Sequence, residues 1–464
     1  MKKLSRLGVL VLVLFCTASL AFAGGGSSSS SGKTVVRLGI WPEDTQPQTI
    51  AMHQAFVKKF NAQYPNVDLQ QAHYTYAVDT YLALAEAGVA PTVFESWFTE
   101  PDKLIRNDLV ADITKEIKQL GWDAKMSPAM MTLLSRDGKI YGVPRDAYAL
   151  GLQINVDLFR KAGLVDGNGV PLYPKTWDEL ATVAQTIKQK TGSAGFCLLA
   201  KDNAGGWHFT NIAWGFGAVF EVQRGGKWYA QLNTPEAVAA LQYVKDLKWR
   251  YDVLTADPTN EDWSSGWRAI GTGAAAMYIG AQDGVNQPTE NYGLPVRDLA
   301  IAPVPAGPKG QFSLMGGTPY MFAPNATSAQ ITAALRYLEL MGRGPIVNDD
   351  TIAGLRANAQ TNKNAGIPNI PDIPAWTDPA YLKAKQDARD AFANVDMRFY
   401  NDYYAAVAKA GNLKPEEPVQ TQDLYAELTK CLQAVLTDRN ANPQTLLNTA
   451  QQNFQRLLDS TVNR

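Results

Sequence analysis

Val35-Val36-Arg37-Leu38-Gly39-Ile40 is rich in β-branched residues and is halted by Trp41-Pro42, so it reads as a buried first strand. A helix follows, with Ile50, Val57 and Phe60 on one face and the acidic pair Glu43 and Asp44 before its first turn. Tyr64-Pro65-Asn66 breaks that helix, and Val67-Asp68-Leu69 begins a second strand. Tyr81 to Glu86 reads as helix, and Gly88-Val89-Ala90-Pro91 turns into a third strand at Thr92-Val93-Phe94. A β–α–β–α–β opening calls for a parallel sheet with right-handed crossovers, wound on both faces by helices.

Working outward, Asp137-Gly138-Lys139-Ile140-Tyr141-Gly142-Val143-Pro144 has the pattern of a hairpin turn feeding a strand. The apolar run Tyr148 to Asn155 is long enough to cross from one folding unit to another. Thr176-Trp177-Asp178-Glu179 is a capping box ahead of Trp177, Leu180, Ala184 and Ile187 on one helical face. Thr234-Pro235 starts another helix, with Ala237, Leu241, Val244 and Leu247 inward. Leu299 to Val304 reads as strand and Ile331 to Met341 as helix; residues 361–380 read as a Pro-punctuated loop, and the last eighty or so residues as helices.

With 464 residues the chain exceeds one ordinary core, so two domains are expected. Hydrophobic residues at 46% and charged ones at 19% suit a globular protein, and a formal charge of −1 gives no basic field for nucleic acid. Eleven Trp, 19 Tyr and 16 Phe supply many flat apolar faces. Lys2, Lys3 and Arg6, the apolar run Leu7 to Phe15 and Ala21-Phe22-Ala23 make residues 1–23 a secretory signal, and residues 24–33 a flexible Gly/Ser tether. A lipid anchor at Cys16 is the rival processing; Phe15 stands where it wants a small residue, so cleavage after Ala23 is favoured. Cys197 and Cys431 are expected to be free and buried, and no Cys/His spacing with His53, His73 or His208 suggests a metal.

Seven ordered patterns over roughly residues 34–345 resemble the family-1 extracellular solute-binding proteins, the maltose-binding-like group that serves ABC importers. They are Phe56-x-x-x-Phe60 before Tyr64-Pro65-x-Val67; Gly88-x-Ala90-Pro91-Thr92-Val93; and Asp137-Gly138-Lys139-x-Tyr141-Gly142-Val143-Pro144. Asn155-x-Asp157-Leu158-Phe159-x-Lys161-Ala162-Gly163-Leu164 and Thr176-Trp177-Asp178-Glu179-Leu180 follow. The last two are Gly273-x-Ala275-Ala276-Met277 and Pro303-x-Pro305-x-Gly307-Pro308 through Leu314-Met315-Gly316-Gly317. Thr92 replaces the usual Asp, and Gly280-Ala281-Gln282-Asp283 stands where the family often has Gly-x-Trp.

The resemblance implies a periplasmic-binding-protein-like α/β fold of two doubly wound lobes, a hinge and a helical C-terminal segment. Residues 34–146 with 298–345 would form one lobe, and 147–297 with 346–464 the other. It further implies a monomer without catalysis or cofactor that takes a mono- or oligosaccharide between the lobes. Delivery would be to the permease subunits of an ABC importer, from the periplasm or the outer face of the membrane.

Ligands of open α/β sheets sit beyond the carboxyl ends of strands, and sugars want planar hydrogen-bonding groups with aromatic faces. That selects Trp41, Glu43 and Asp44 after the first strand and Glu95 with Trp97 after the third. It adds Asp146 beside Arg145, Trp207 and Trp214 in a Gly-rich stretch, Trp263, and Gln282 with Asp283. Gly316, Gly317 and Thr318 would let backbone approach a ligand, and Tyr400 is a lesser candidate. Each has a structural alternative: helix capping for Glu43 or Asp44, an ion pair between Arg145 and Asp146, a tight turn for the glycines, packing for any one Trp. Two other functions are weighed, a secreted carbohydrate-active enzyme and the same fold holding a polyamine or other non-sugar cargo. The enzyme lacks a nucleophile elbow or metal triad, and the acidic, aromatic loops favour a neutral or cationic ligand over an anionic one.

Overall fold

The computed structural model describes residues 32–44 and 47–464. The leader, Cys16 and most of the tether lie outside the described residues. Strands β1 (Thr34–Gly39), β2 (Val67–Gln71) and β3 (Val93–Glu95) pair in parallel around β1, with the helices Pro47–Gln63 and Val78–Glu86 as crossovers. Val36 and Leu38 are fully buried, which is why a β-branched run sits at this position.

Ser135–Arg136 (β4) and Lys139–Ile140 (β5) form the expected hairpin. Its turn residues Asp137 and Gly138 have φ of 53° and 76°, the left-handed pair that suits the twist of a two-residue hairpin loop.

Gly142–Asn155 (β6) is 14 residues long and belongs to two half-sheets. The remaining strands are β7 (Ala194–Cys197), the hairpin β8 (Glu221–Arg224) and β9 (Lys227–Ala230), β10 (Ala275–Ala281), β11 (Leu299–Ala302), β12 (Ser313–Phe322) and β13 (Leu413–Pro415). The main sheet runs β2-β1-β3-β12-β6-β10-β7, with β11 also on β6 and β13 on β12. From Gly142 to Ala149, β6 lies antiparallel to β12; from Leu150 to Asn155 it lies antiparallel to β10 and β11. The chain thus passes from one half-sheet to the other without leaving extended conformation. Residues Ala149 to Asn155 are all buried, as a strand covered on both faces should be.

Local expectations hold with corrections. Trp177, Leu180, Ala184 and Ile187 are all buried on the helix Trp177–Thr191. The box at its start is only half made: Thr176 Oγ1 accepts from the Glu179 amide, whereas Glu179 Oε2 accepts from the Lys175 amide and not from that of Thr176. The Gly-rich stretch around Trp207 forms the buried helix Asp202–Phe216. Its glycines admit another helix, Thr421–Thr437: a Cβ on Gly206 would lie 2.3 Å from the Tyr425 carbonyl oxygen. Residues 361–365 complete the helix Asp349–Ala365, so the Pro-punctuated loop is shorter than expected and ends at the helix Pro379–Ala391. Cys197 and Cys431 are free and buried. Among the described residues no helix is long and apolar enough to cross a membrane.

Candidate functional site: a polar row across the crossing strands

The register of the sheet assembles the site. On β6 and β12, Asp146 stands opposite Thr318 and Tyr148 opposite Gly316. Ala281, the last residue of β10, is paired with Leu150, and Pro415, the last of β13, lies alongside Met315. The residues just beyond those strand ends, Asp283 and Glu416, therefore flank Tyr148 from its two sides. The electrostatics agree, for Glu416, Asp283 and Asp146 are the charges that act on the Tyr148 hydroxyl.

Arg145 ties the row to β3. Its Nη1 lies 2.7 Å from Glu95 Oε2, its Nε 2.6 Å from Asp146 Oδ2, and its Nη2 donates to Thr318 Oγ1 at 3.1 Å. The Thr318 amide in turn donates to Asp146 Oδ1 at 2.9 Å. One guanidinium planar fork thus fixes three side chains, which is what Arg does and Lys cannot. The ion pair weighed between Arg145 and Asp146 exists, and Glu95 completes it.

Aromatic rings border the row. Trp263, 47% exposed, stands edge-to-face with Trp207 at 6.2 Å, and Trp207 acts on the Tyr148 hydroxyl. Trp97, 44% exposed, follows β3 and meets Tyr76 edge-on at 5.6 Å. Trp214 is buried; its Nε1 donates to Glu417 Oε1 at 2.8 Å, and Lys414 Nζ lies 5.1 Å from its ring centroid.

Asp283, just beyond β10, is exposed to water yet has protein packed about it. This enclosure raises it to about 6, with Asp146 adding to the rise and Arg145 opposing it. Burial lifts Glu416 to about 8 against a hydrogen bond from Tyr425, and Glu417 to about 7 against Trp214 and Lys414. Around neutral pH the site can therefore offer both protonated and ionised carboxyl oxygens, donors as well as acceptors.

Several expected members stand elsewhere. Trp41 is 5% exposed and packs edge-on against His53 at 5.3 Å, so it offers no face to a ligand. Gln282 is buried, its Nε2 donating to the Pro371 carbonyl, and buried Tyr400 donates to the Leu299 carbonyl. Gly316 and Gly317 make room for protein, not for ligand: a Cβ on Gly316 would lie 2.3 Å from the Tyr148 hydroxyl, and one on Gly317 2.5 Å from the Asp146 carbonyl oxygen. Glu43 and Asp44 are exposed after β1; Glu43 accepts from Thr75 Oγ1 at 3.4 Å, and neither bonds to the row. The expectation missed Tyr148, Glu416 and Glu417. Tyr148 shares alternation with Asp146, a usable signal, but Lys414-Pro415-Glu416-Glu417-Pro418 joins the site only through the pairing of β13 with β12. Among the described residues no group of three or more His, Cys, Asp or Glu is placed to hold a metal.

Residues 46–343 match the model of the bacterial extracellular solute-binding proteins. The chain belongs to that family. The arabinooligosaccharide-binding protein of Bacillus subtilis is 26% identical over 257 residues, 53% of this chain and 55% of that protein. The chain spans about half the length of the curated relatives it matches. Among solved structures, the GacH receptor of Streptomyces glaucescens, studied without ligand and with acarbose, is 18% identical. It superposes with a TM-score of 0.68 over 92% of this chain and 99% of its own. An ABC-transporter solute-binding protein from Thermotoga lettingae bound to α-D-tagatose is 17% identical, with a TM-score of 0.70 over 92% and 100%. At such identities the agreement is one of fold, the two-lobed binding-protein type with a central mixed sheet.

Proposed function

We propose that the protein is the non-catalytic receptor of an ABC importer and binds a sugar or oligosaccharide between two lobes. Those lobes would comprise residues 34–146 with 298–345 and residues 147–297 with 346–464, except that β11, paired with the far half of β6, would go with the second lobe and β13, paired with β12, with the first; the hinge would lie where β6 passes between the half-sheets. The observation that carries the reading is the row Asp283–Tyr148–Gly316–Glu416, lying beside Asp146 and Thr318 and bordered by Trp207 and Trp263. Carboxyl and hydroxyl groups on one sheet face match the hydroxyls of a sugar ring, and an exposed indole matches its C–H face. Relatives named for arabinooligosaccharide, acarbose and tagatose support the same class of cargo. The protein would act as an exported monomer, free in the periplasm or anchored outside the membrane, and pass its cargo to permease subunits.

Calorimetric titration with a panel of neutral mono- and oligosaccharides tests this. Binding by at least one sugar is expected, weakened about tenfold or more by Asp283→Asn or Trp263→Ala, since each removes a direct contact. Binding that survives both changes would move the site elsewhere, and cleavage of any oligosaccharide during incubation would replace receptor by enzyme. A polyamine is the second reading, favoured by one observation: Arg145, the cation that ties the row together, is already held by Glu95 and Asp146. Spermidine in the same panel separates the two.

A further inference from the structure

Close to the polar row the two lobes touch through side chains. Thr99 and Glu100 follow β3 and lead into the helix Pro101–Arg106. Gln422 stands in the first turn of the helix Thr421–Thr437, which packs on the helix Asp202–Phe216. Both segments share the walls of one crevice. Across it, Gln422 Nε2 donates to Thr99 Oγ1 at 3.0 Å, a bond with one partner in each lobe.

That bond is one link of a directed chain. Asn203 Nδ2 donates to Gln422 Oε1 at 2.9 Å, and the Thr99 hydroxyl donates to Glu100 Oε1 at 3.2 Å. Tyr76 gives its hydroxyl proton to the other oxygen of Glu100 at 3.1 Å. Since the Thr99 proton already goes to Glu100, Thr99 can only accept from Gln422, and the amide must turn its nitrogen that way. Glu100 is 3% exposed, so water replaces its partners poorly. The two ends of the chain lie under the aromatic borders of the site. Asn203 is one turn before Trp207 on its helix, and Trp207 meets Trp263; Tyr76 supports Trp97 edge-on.

We propose that Gln422 and Thr99 are positioning residues of the sugar site: their bond clasps the lobes together and sets the gap between Trp97 on one side and Trp207 with Trp263 on the other. The proposal rests on the two-lobed reading. A movement that parts the lobes here must break the clasp, because its partners belong to different lobes. Neither residue hydrogen-bonds to the row, so the clasp acts on a cargo through the width of the site alone. One hydrogen bond of this kind biases the balance of apposed and parted lobes by about two- to tenfold.

Small-angle X-ray scattering of the ligand-free full chain tests this without any knowledge of the cargo. Thr99→Val keeps the shape of the side chain and removes the acceptor; Gln422→Glu keeps its shape and puts an oxygen where the donor stood. Both variants are expected to show a larger radius of gyration than the natural chain, with far-UV circular dichroism unchanged. Thr99→Ser retains the hydroxyl and is expected to keep the natural radius. A role for Thr99 in packing alone gives the reverse order, with Val tolerated and Ser not. An unchanged radius in either the Val or the Glu variant, an equal expansion in the Ser variant, or expansion with loss of helical signal would each overturn the proposal. Because no sugar is added, failure here leaves the sugar assignment to stand or fall by calorimetry.

Discussion

Between Tyr148 and Glu416 stands Gly316, and the ring of Tyr148 occupies the space a side chain would need. Gly316→Ala has nowhere to place its methyl group without moving that ring. We expect a loss of about 1–3 kcal/mol in urea unfolding, together with weaker ligand binding because Tyr148 is displaced from the row. His208 offers a pH test. It is fully buried, its Nδ1 accepts from the Leu199 amide at 2.8 Å, and its Nε2 has no partner. Burial lowers it to about 3, so the fold holds it neutral while the unfolded chain binds a proton below its ordinary value of 6.5. Its contribution is whole above pH 6.5 and is lost progressively as pH falls toward 3, amounting to about 5 kcal/mol at most. Comparing the pH dependence of urea stability for the natural chain and His208→Gln should show the flatter curve in the variant.

Helix against helix, Gly206 makes the tightest demand. The backbone of Tyr425 in the helix Thr421–Thr437 lies where a Cβ would be, and backbone cannot swing aside as a side chain can. Gly206→Val should force the two helices apart and cost about 3 kcal/mol or more, read as a lowered urea midpoint with unchanged slope. The same contact explains why part of this molecule can be read from its residues and part cannot. Strands β1 to β3, the hairpin at Asp137-Gly138 and the amphipathic helix of Trp177, Leu180, Ala184 and Ile187 follow from local period and turn chemistry. The glycines near Trp207 imitate a loop unless the partner helix is known. Likewise, the position of Trp41 at a strand end says nothing about which way its ring turns, and His53 decides it. Glu95, Asp146 and Asp283 could be chosen because they end or interrupt apolar strands; Glu416 could not, because only a long-range pairing brings it near them.

Taken as one body, the protein should gain stability by mass action from any sugar it binds. At a hundredfold excess over Kd, a sugar that binds only the folded form adds about 2.7 kcal/mol. A sugar found by calorimetry should therefore raise the thermal midpoint, and should raise it less in Asp283→Asn at equal concentration. Equal shifts in both proteins would place the cargo outside the row.

The lacing of β12 between β3 and β6 has a consequence for biogenesis. Glu95 finds its neighbour at Tyr320, and Tyr148 finds Gly316, so the first half-sheet keeps an unfilled slot until the chain beyond Phe322 has been made. Pairings so distant along the sequence form slowly. A polypeptide threaded outward through a narrow pore benefits from that delay, because a nascent segment that cannot finish its sheet cannot jam the channel as a folded plug.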